Sequence, residues 1–263
     1  MPATPSSDRW PDIPFQQVSM RLRALLSLTL LATATTAGAQ ATIEPGSPTL
    51  RMDQLTAGID SFRIESSFGN QKRSTTMVRS VERSRLDGRD VLVFAQRYHT
   101  PQGITVDTSW VDARTLAPIR YFAEVYGETQ VFTFDGRTGS GTVTPKDSAS
   151  RPVSITNETP FFNAVALDLL YRALPWTRDF ATSAVIYNPP RASFTFSLRV
   201  TGEEELPLAA GGSVKAWVVD YALGPGRQTL WVDQSSGEFL RIGTTQGENY
   251  FWKYRLDLKA PGD

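Results

Sequence analysis

Residues 110–120 read W-V-D-A-R-T-L-A-P-I-R, and residues 231–241 read W-V-D-Q-S-S-G-E-F-L-R. Tryptophan, valine, aspartate and the closing arginine coincide, with Thr115 against Ser236 and Ile119 against Leu240. Each stretch describes a strand ending in Trp-Val, an aspartate that can hold the turn backbone by hydrogen bonds, and a return strand. Two such stretches in register predict a repeated hairpin and a sheet assembled from two related halves.

The β pattern continues outward from these hairpins. Alternation with period two, aromatic and β-branched residues and regular turn signals predict antiparallel strands at 59–67, 74–86, 90–99, 103–112, 117–126 and 129–135. Asp87-Gly88, Pro101-Gln102-Gly103 and Tyr126-Gly127 mark reversals between them. The polar, Gly/Ser-rich stretch 136–151 reads as a loop with one weak strand. Further strands are expected at 192–201, 214–222, 227–233, 238–245 and 248–258. In the first of these Phe194, Phe196, Leu198 and Val200 alternate with polar residues. In the last, Tyr250, Trp252, Tyr254, Leu256 and Leu258 share one side.

One segment breaks the pattern. Residues 159–174 read as a helix, with Thr159 as N-cap, Pro160 in the first position and Pro175 as the stop. Phe162, Val165, Ala166, Leu169 and Ala173 form an apolar stripe, which Phe161, Leu167 and Leu170 widen. Asn163, Asp168 and Arg172 remain as a narrow polar strip, the last two spaced as an i, i+4 ion pair. So wide an apolar surface calls for burial against a curved sheet, as a core helix or as a plug over an apolar cavity.

Composition removes much chemistry. The 263 residues carry 27 Lys plus Arg against 27 Asp plus Glu, one histidine and no cysteine. Neutrality argues against a nucleic-acid partner, which calls for a basic excess. Without cysteine there is no thiol nucleophile, thiolate metal site or lipid-modified cysteine. Residues 20–39, MRLRALLSLTLLATATTAGA, have the layout of a secretory signal: basic Arg21 and Arg23, an apolar run, then Ala37-Gly38-Ala39 as a cleavage site. The apolar run is far shorter than the roughly 20 residues of a spanning helix. The expected organisation is a non-native or disordered leader at 1–19, a signal peptide at 20–39, and one mature β domain at 40–263. A periplasmic or secreted location follows, with no transmembrane segment in the mature chain.

The remaining candidates for chemistry are weak. His99 stands at a strand end as a solvated residue, and the nearness of Asp107 and Ser109 in sequence makes no triad. Glu203, Glu204 and Glu205 alternate faces on a strand and cannot converge on a cation without a turn. Asp112 and Asp233 are turn residues. Gly136, Gly139 and Gly141 precede a strand-like Thr142-Val143-Thr144 and not the helix a phosphate loop opens. No catalytic residue, metal or cofactor is assigned. The aromatics of the C-terminal half are the remaining signal, as ordinary core or as a concave apolar surface for an amphipathic ligand.

The chain resembles exported proteins of the domain of unknown function 3108 family, relatives of periplasmic lipoprotein-carrier folds. The resemblance rests on the hairpin at 110–120, on A-V-A-L-D-L-L-Y-R-A-L-P at 164–175, and on G-E-E-E-L-P-L-A-A-G-G-S-V-K-A-W-V-V at 202–219 followed by L-W-V-D at 230–233. Phe239 stands where the first hairpin has its closing proline, Pro118. The resemblance implies a mainly β fold: a strongly curved antiparallel sheet or incomplete β-barrel with one helix packed in or across its opening. It carries no catalytic residues. The expected function is non-enzymatic binding of a lipid-like or other apolar ligand. Cavity candidates are Phe162, Leu169, Phe194, Phe196, Trp217, Trp231, Tyr250, Trp252 and Tyr254. The alternatives are a structural or protein-interaction module in envelope assembly, with an envelope protein as partner, and a carboxylate-dependent hydrolase.

Overall fold

The computed structural model describes residues 41–261 except 102, 126, 224 and 225. The expectations for residues 1–39, for Gln40, and for the reversals at Gln102 and Tyr126 lie outside the described residues.

Two meanders make one sheet. The first is β2 (Gly58–Phe68), β3 (Gln71–Leu86), β4 (Arg89–Thr100), β5 (Gly103–Asp112), β6 (Pro118–Val125), β7 (Glu128–Asp135), β8 (Thr138–Pro145) and β9 (Arg151–Thr156). The second is β11 (Ala181–Asn188), β12 (Ala192–Pro207), β13 (Ser213–Leu223), β14 (Gly226–Asp233), β15 (Phe239–Gln246) and β16 (Asn249–Arg255). Neighbours within each meander are antiparallel, and β16 pairs with β2 to fuse the two. Two short strands, β1 (Ala41–Thr42) and β10 (Phe162–Asn163), run parallel to β11. The sheet is large, strongly curved and not closed into a barrel.

The repeated sequence is a repeated structure. Trp110 pairs with Arg120 and Val111 with Pro118; Trp231 pairs with Arg241 and Val232 with Phe239. Both hairpins therefore carry a bulge in the return strand at the same place. Asp112 Oδ1 accepts from the backbone N–H groups of Arg114 and Thr115 and from the Thr115 hydroxyl, each at 2.9 Å. Asp233 Oδ1 does the same with Ser235 and Ser236. The turn closes in left-handed backbone, at Leu116 in one copy and Gly237 in the other. The shared arginine lies over the shared tryptophan, 5.5 Å for Arg120 on Trp110 and 3.8 Å for Arg241 on Trp231. The matched residues are thus those that hold the turn and brace the strands across it.

Side chains seal the gap between the two meanders. Phe132 and Phe134 of β7 reach Tyr187 of β11, with ring centroids 6.4 and 5.9 Å apart, and Phe161 packs on Phe134 and Tyr187. Among the described residues no ladder joins β9 to β11.

The structure departs from the expected elements at four places. The stretch 136–151 contains all of β8 as an eight-residue strand, and β9 follows it. Gly139 and Gly141 are strand residues, while Gly136 sits in the turn before them; a Cβ at Gly141 would overlap the Phe132 ring, which lies across the strand there. Second, β11 is a strand that the expected elements omit, and it carries no alternation because it is buried on both sides. Ala184 and Ile186 face the main core, while Val185 and Tyr187 face the aromatic seam. Third, the helix starts late. Residues 162–163 are β10, residues 164–166 form a 3-10 turn, and only α1 (Leu167–Ala173) is α-helical. Asn163, not Thr159, supplies a side-chain cap, and it caps the 3-10 turn, its Oδ1 accepting from the Val165 N–H at 2.9 Å; α1 itself starts after Ala166 with no side-chain cap. Burial on every side of 161–166 imitated a helical stripe. The last strand also stops at Arg255, short of 258.

If the aspartates hold the turns, Asp112→Ala and Asp233→Ala will each lower stability by about 1–2 kcal/mol in urea unfolding. Loss in only one copy would show that the repeat is not equivalent in energy.

Candidate functional site

All seven residues of α1 are buried, and the helix packs on the concave face of the sheet. Its two charged residues do not pair with each other as their spacing suggested. Asp168 Oδ2 accepts from Arg79 Nη1 of β3 at 3.1 Å and from Lys253 Nζ of β16 at 3.2 Å. Arg172 lies 3.1 Å from Glu238 Oε1 and donates to the Thr56 hydroxyl at 2.6 Å and the Thr56 carbonyl at 3.1 Å. Arg79 also donates to Asp60 and to Glu238. Arg79, Arg172 and Lys253 thus meet Asp60, Asp168 and Glu238, three cations with three anions. The cations are further held over aromatic faces: Lys253 is 4.6 Å from the Phe239 ring and Arg79 4.8 Å from Phe62.

Burial opposes the charge of Asp168, Arg79 and Arg172, so partners decide the outcome. For Asp168, burial is outweighed by Lys253 and Arg79, which hold its carboxyl below the usual range. For Arg79, burial is outweighed by Asp168, Asp60 and Glu238, which raise its pKa. Arg172 goes the other way: burial lowers its pKa, and Glu238 only partly offsets this.

Strand register lays these groups in a polar row across the concave face. Asp60 pairs with Arg79, Arg79 with Gln96, Gln96 with Asp107, Asp107 with Ala123 and Ala123 with Gln130. Gln96 Nε2 donates to the Val165 carbonyl just before α1. Asp107 is 7% exposed, and its Oδ1 has no hydrogen-bond partner among the described residues. Burial pushes its carboxyl up to about 7, against the pull of Lys253 and Tyr98 and with help from Asp168. Ser109 faces the same way, fully buried. His99 is exposed and out of phase with both, so the three do not converge.

Beyond α1, toward the β2–β3 hairpin, the concave face stays apolar. Ile64, Tyr98, Leu223 and Ile242 pack on the main core while remaining partly open. Phe251 shares their face, two residues from Lys253. Phe68, 52% exposed, and Phe194, 36% exposed, stand at the rim.

The nine cavity candidates separate. Leu169 belongs to α1 and Phe162 and Phe196 are core residues of the same cluster, Trp217 is partly buried against that cluster, and Phe194 is at the rim. Trp231 and Trp252 belong to another cluster, with Leu206, Leu240 and Leu258, and stack 5.9 Å apart. Trp231 donates to Glu204 at 2.7 Å. Tyr250 and Tyr254 share the Trp252 side of β16, opposite Lys253. On the last strand it is Phe251 and Lys253, not Tyr250, Trp252 and Tyr254, that point to the concave side. The missed residues left one trace in the sequence. Arg79 is in phase with Met77 and Val81, and Asp107 and Ser109 are in phase with Val111, so polar groups occupy core positions.

Clefts elsewhere are edged by charged side chains. One of about 310 Å³ lies among Arg83, Asp90 and Arg114, and one of about 380 Å³ among Arg178, Glu203 and Trp217. Among the described residues no group of histidine, aspartate and glutamate side chains is placed to hold a metal, and no helix is long and apolar enough to cross a membrane.

Fold and site define a mainly β protein whose open, curved sheet holds a short helix on its concave face. A family model described as "Protein of unknown function (DUF3108)" matches residues 56–250, and the chain belongs to that family. The match spans β2 to the start of β16 and includes α1. No curated protein matches the chain.

Asp168→Ala leaves Arg79 and Lys253 buried without their shared partner and is expected to cost about 3–5 kcal/mol in denaturant unfolding. Arg227→Ala, which breaks an exposed pair with Asp220, should change stability by less than about 1 kcal/mol. Asp107 imposes a pH dependence of known sign. Its folded pKa of about 7 lies above the unfolded value, so the native state holds the extra proton between them. Its contribution to stability is lost as pH rises through that window. Asp107→Asn should therefore raise the melting temperature at pH 8 and leave it nearly unchanged at pH 4.

Proposed function

We propose that this is an exported, non-enzymatic protein that binds one lipid-like or other amphipathic ligand on the open end of its concave face. The observation that carries this is the apolar wall beyond α1. Ile64, Tyr98, Leu223, Ile242 and Phe251 continue the core surface, yet among the described residues no element covers them as α1 covers its own half. Apolar surface of this kind is stabilised by an apolar occupant at roughly 25 cal/mol per Å² removed from water. The signal-like segment at 20–39 supports export and a periplasmic or secreted location. A second reading, a protein-interaction module in envelope assembly, is supported by the filled half of the sheet around α1, which leaves no room for a ligand there.

The test is native mass spectrometry of protein purified from the cell envelope, and again after incubation with vesicles of phosphatidylethanolamine and phosphatidylglycerol. A lipid adduct of one per chain is expected. Phe194→Glu places a charge at the rim and should weaken uptake about tenfold, with an unchanged circular dichroism spectrum. Apo mass in both preparations overturns ligand binding, and a single specific crosslinked partner would then support the interaction module.

A further inference from the structure

The ionic cluster is balanced only while Asp107 is neutral. Asp60, Asp168 and Glu238 already match Arg79, Arg172 and Lys253. Asp107 is a fourth carboxyl on the same concave face. Gln96 pairs with it from β4, and the groups whose charge or hydrogen bonding acts on its carboxyl are Lys253 of β16, Tyr98 of β4 and Asp168 of α1. Behind these stand Arg79 on β3, Asp60 on β2, and Glu238 with Arg172 at the far end of α1. Among the described residues no cation forms an ion pair with Asp107. Once charged, it competes with Asp168 for Lys253 and repels Asp168 across a poorly screened interior.

The elements holding these charges are unequal in strength. Lys253 and Asp107 sit on strands laddered on both sides, β16 between β15 and β2, and β5 between β4 and β6. Asp168 sits on a helix of seven residues, joined to the sheet by the two-residue β10 pairing, by side-chain bonds and by the Gln96 bond to Val165. Repulsion between Asp107 and Asp168 is therefore relieved most cheaply by movement of α1.

We propose that Asp107 is the trigger of a proton-controlled latch: neutral, it leaves Lys253 to hold α1 on the concave face through Asp168; ionised, it draws Lys253 away and loosens α1. Loosening α1 uncovers Leu169, Leu170 and the core beneath them, continuous with the open apolar wall. The latch regulates access to the site proposed above and rests on that reading for its purpose, although not for its operation. Its working range is near neutral pH, where Asp107 changes charge.

Amide hydrogen exchange of the full chain at pH 6 and pH 8, corrected for the intrinsic pH dependence, tests the latch without any ligand. The expected result is at least a roughly tenfold loss of protection in residues 167–173 at pH 8, with the β3–β4 and β4–β5 ladders unchanged. Asp107→Asn should abolish that loss. Because a variant can alter folding, a carbon-detected titration of the wild-type Asp107 carboxyl provides a second measurement. The α1 amide shifts should move with the same midpoint. The latch is overturned if α1 protection and shifts stay constant while Asp107 titrates, or if Asp107→Asn retains the wild-type pH response. The absence of lipid adducts in mass spectrometry would overturn the binding function alone, so the two ideas fail separately.

Discussion

The contact on which the rest depends is that of Asp168 with Arg79 and Lys253. Buried cations at two points of a curved sheet cannot stay charged without anions within reach, and the strands supply only part of what is needed. The helix brings the missing carboxylate, and Arg172, one turn on, is met in turn by Glu238 and the Thr56 backbone. Such a network adds little net stability over apolar groups of the same shape, yet it penalises every other placement of the helix. Orientation is what it contributes. The helix is too short to be stable alone and has one position in which its charges are matched.

The two Trp-Val-Asp hairpins act on a larger scale. Each combines a carboxylate-held turn, a bulge and an arginine laid over a tryptophan, and bulges increase local twist. One copy sits in each meander, so each half carries the same bending device. The halves join by backbone bonds at β16 and β2, whereas at the other seam Phe132, Phe134, Phe161 and Tyr187 meet as side chains. Aromatic contact tolerates a gap that backbone ladders would have to close, and it leaves room for the chain to enter and lay α1 on the concave face.

Division of the concave face follows from this arrangement. Near α1 it is packed and carries the polar row; toward the β2–β3 hairpin it is apolar and partly open. A ligand with one apolar and one polar part would meet both environments in sequence. Trp231 and Trp252, unlike Trp217, brace the other side of the sheet, where Arg241 covers Trp231 and Glu204 anchors its indole N–H.

The sequence by itself determined the strands with one wet and one dry face, such as 103–112, which matches β5 residue for residue, and the two turns at Asp112 and Asp233. It also determined the mainly β class and the family. These depend on local alternation and local hydrogen bonding, which neighbours in sequence report. Only the tertiary structure decided β11, whose two buried faces erase alternation, and the late start of α1, where burial on all sides mimicked a helical stripe. The same holds for the site. Which side of β16 is concave depends on the curvature of the whole sheet, and pairing of Asp168 with Arg79 and Lys253 joins residues more than eighty positions apart. No local pattern encodes such a pairing, because the charges find each other only after the two meanders have closed around the helix.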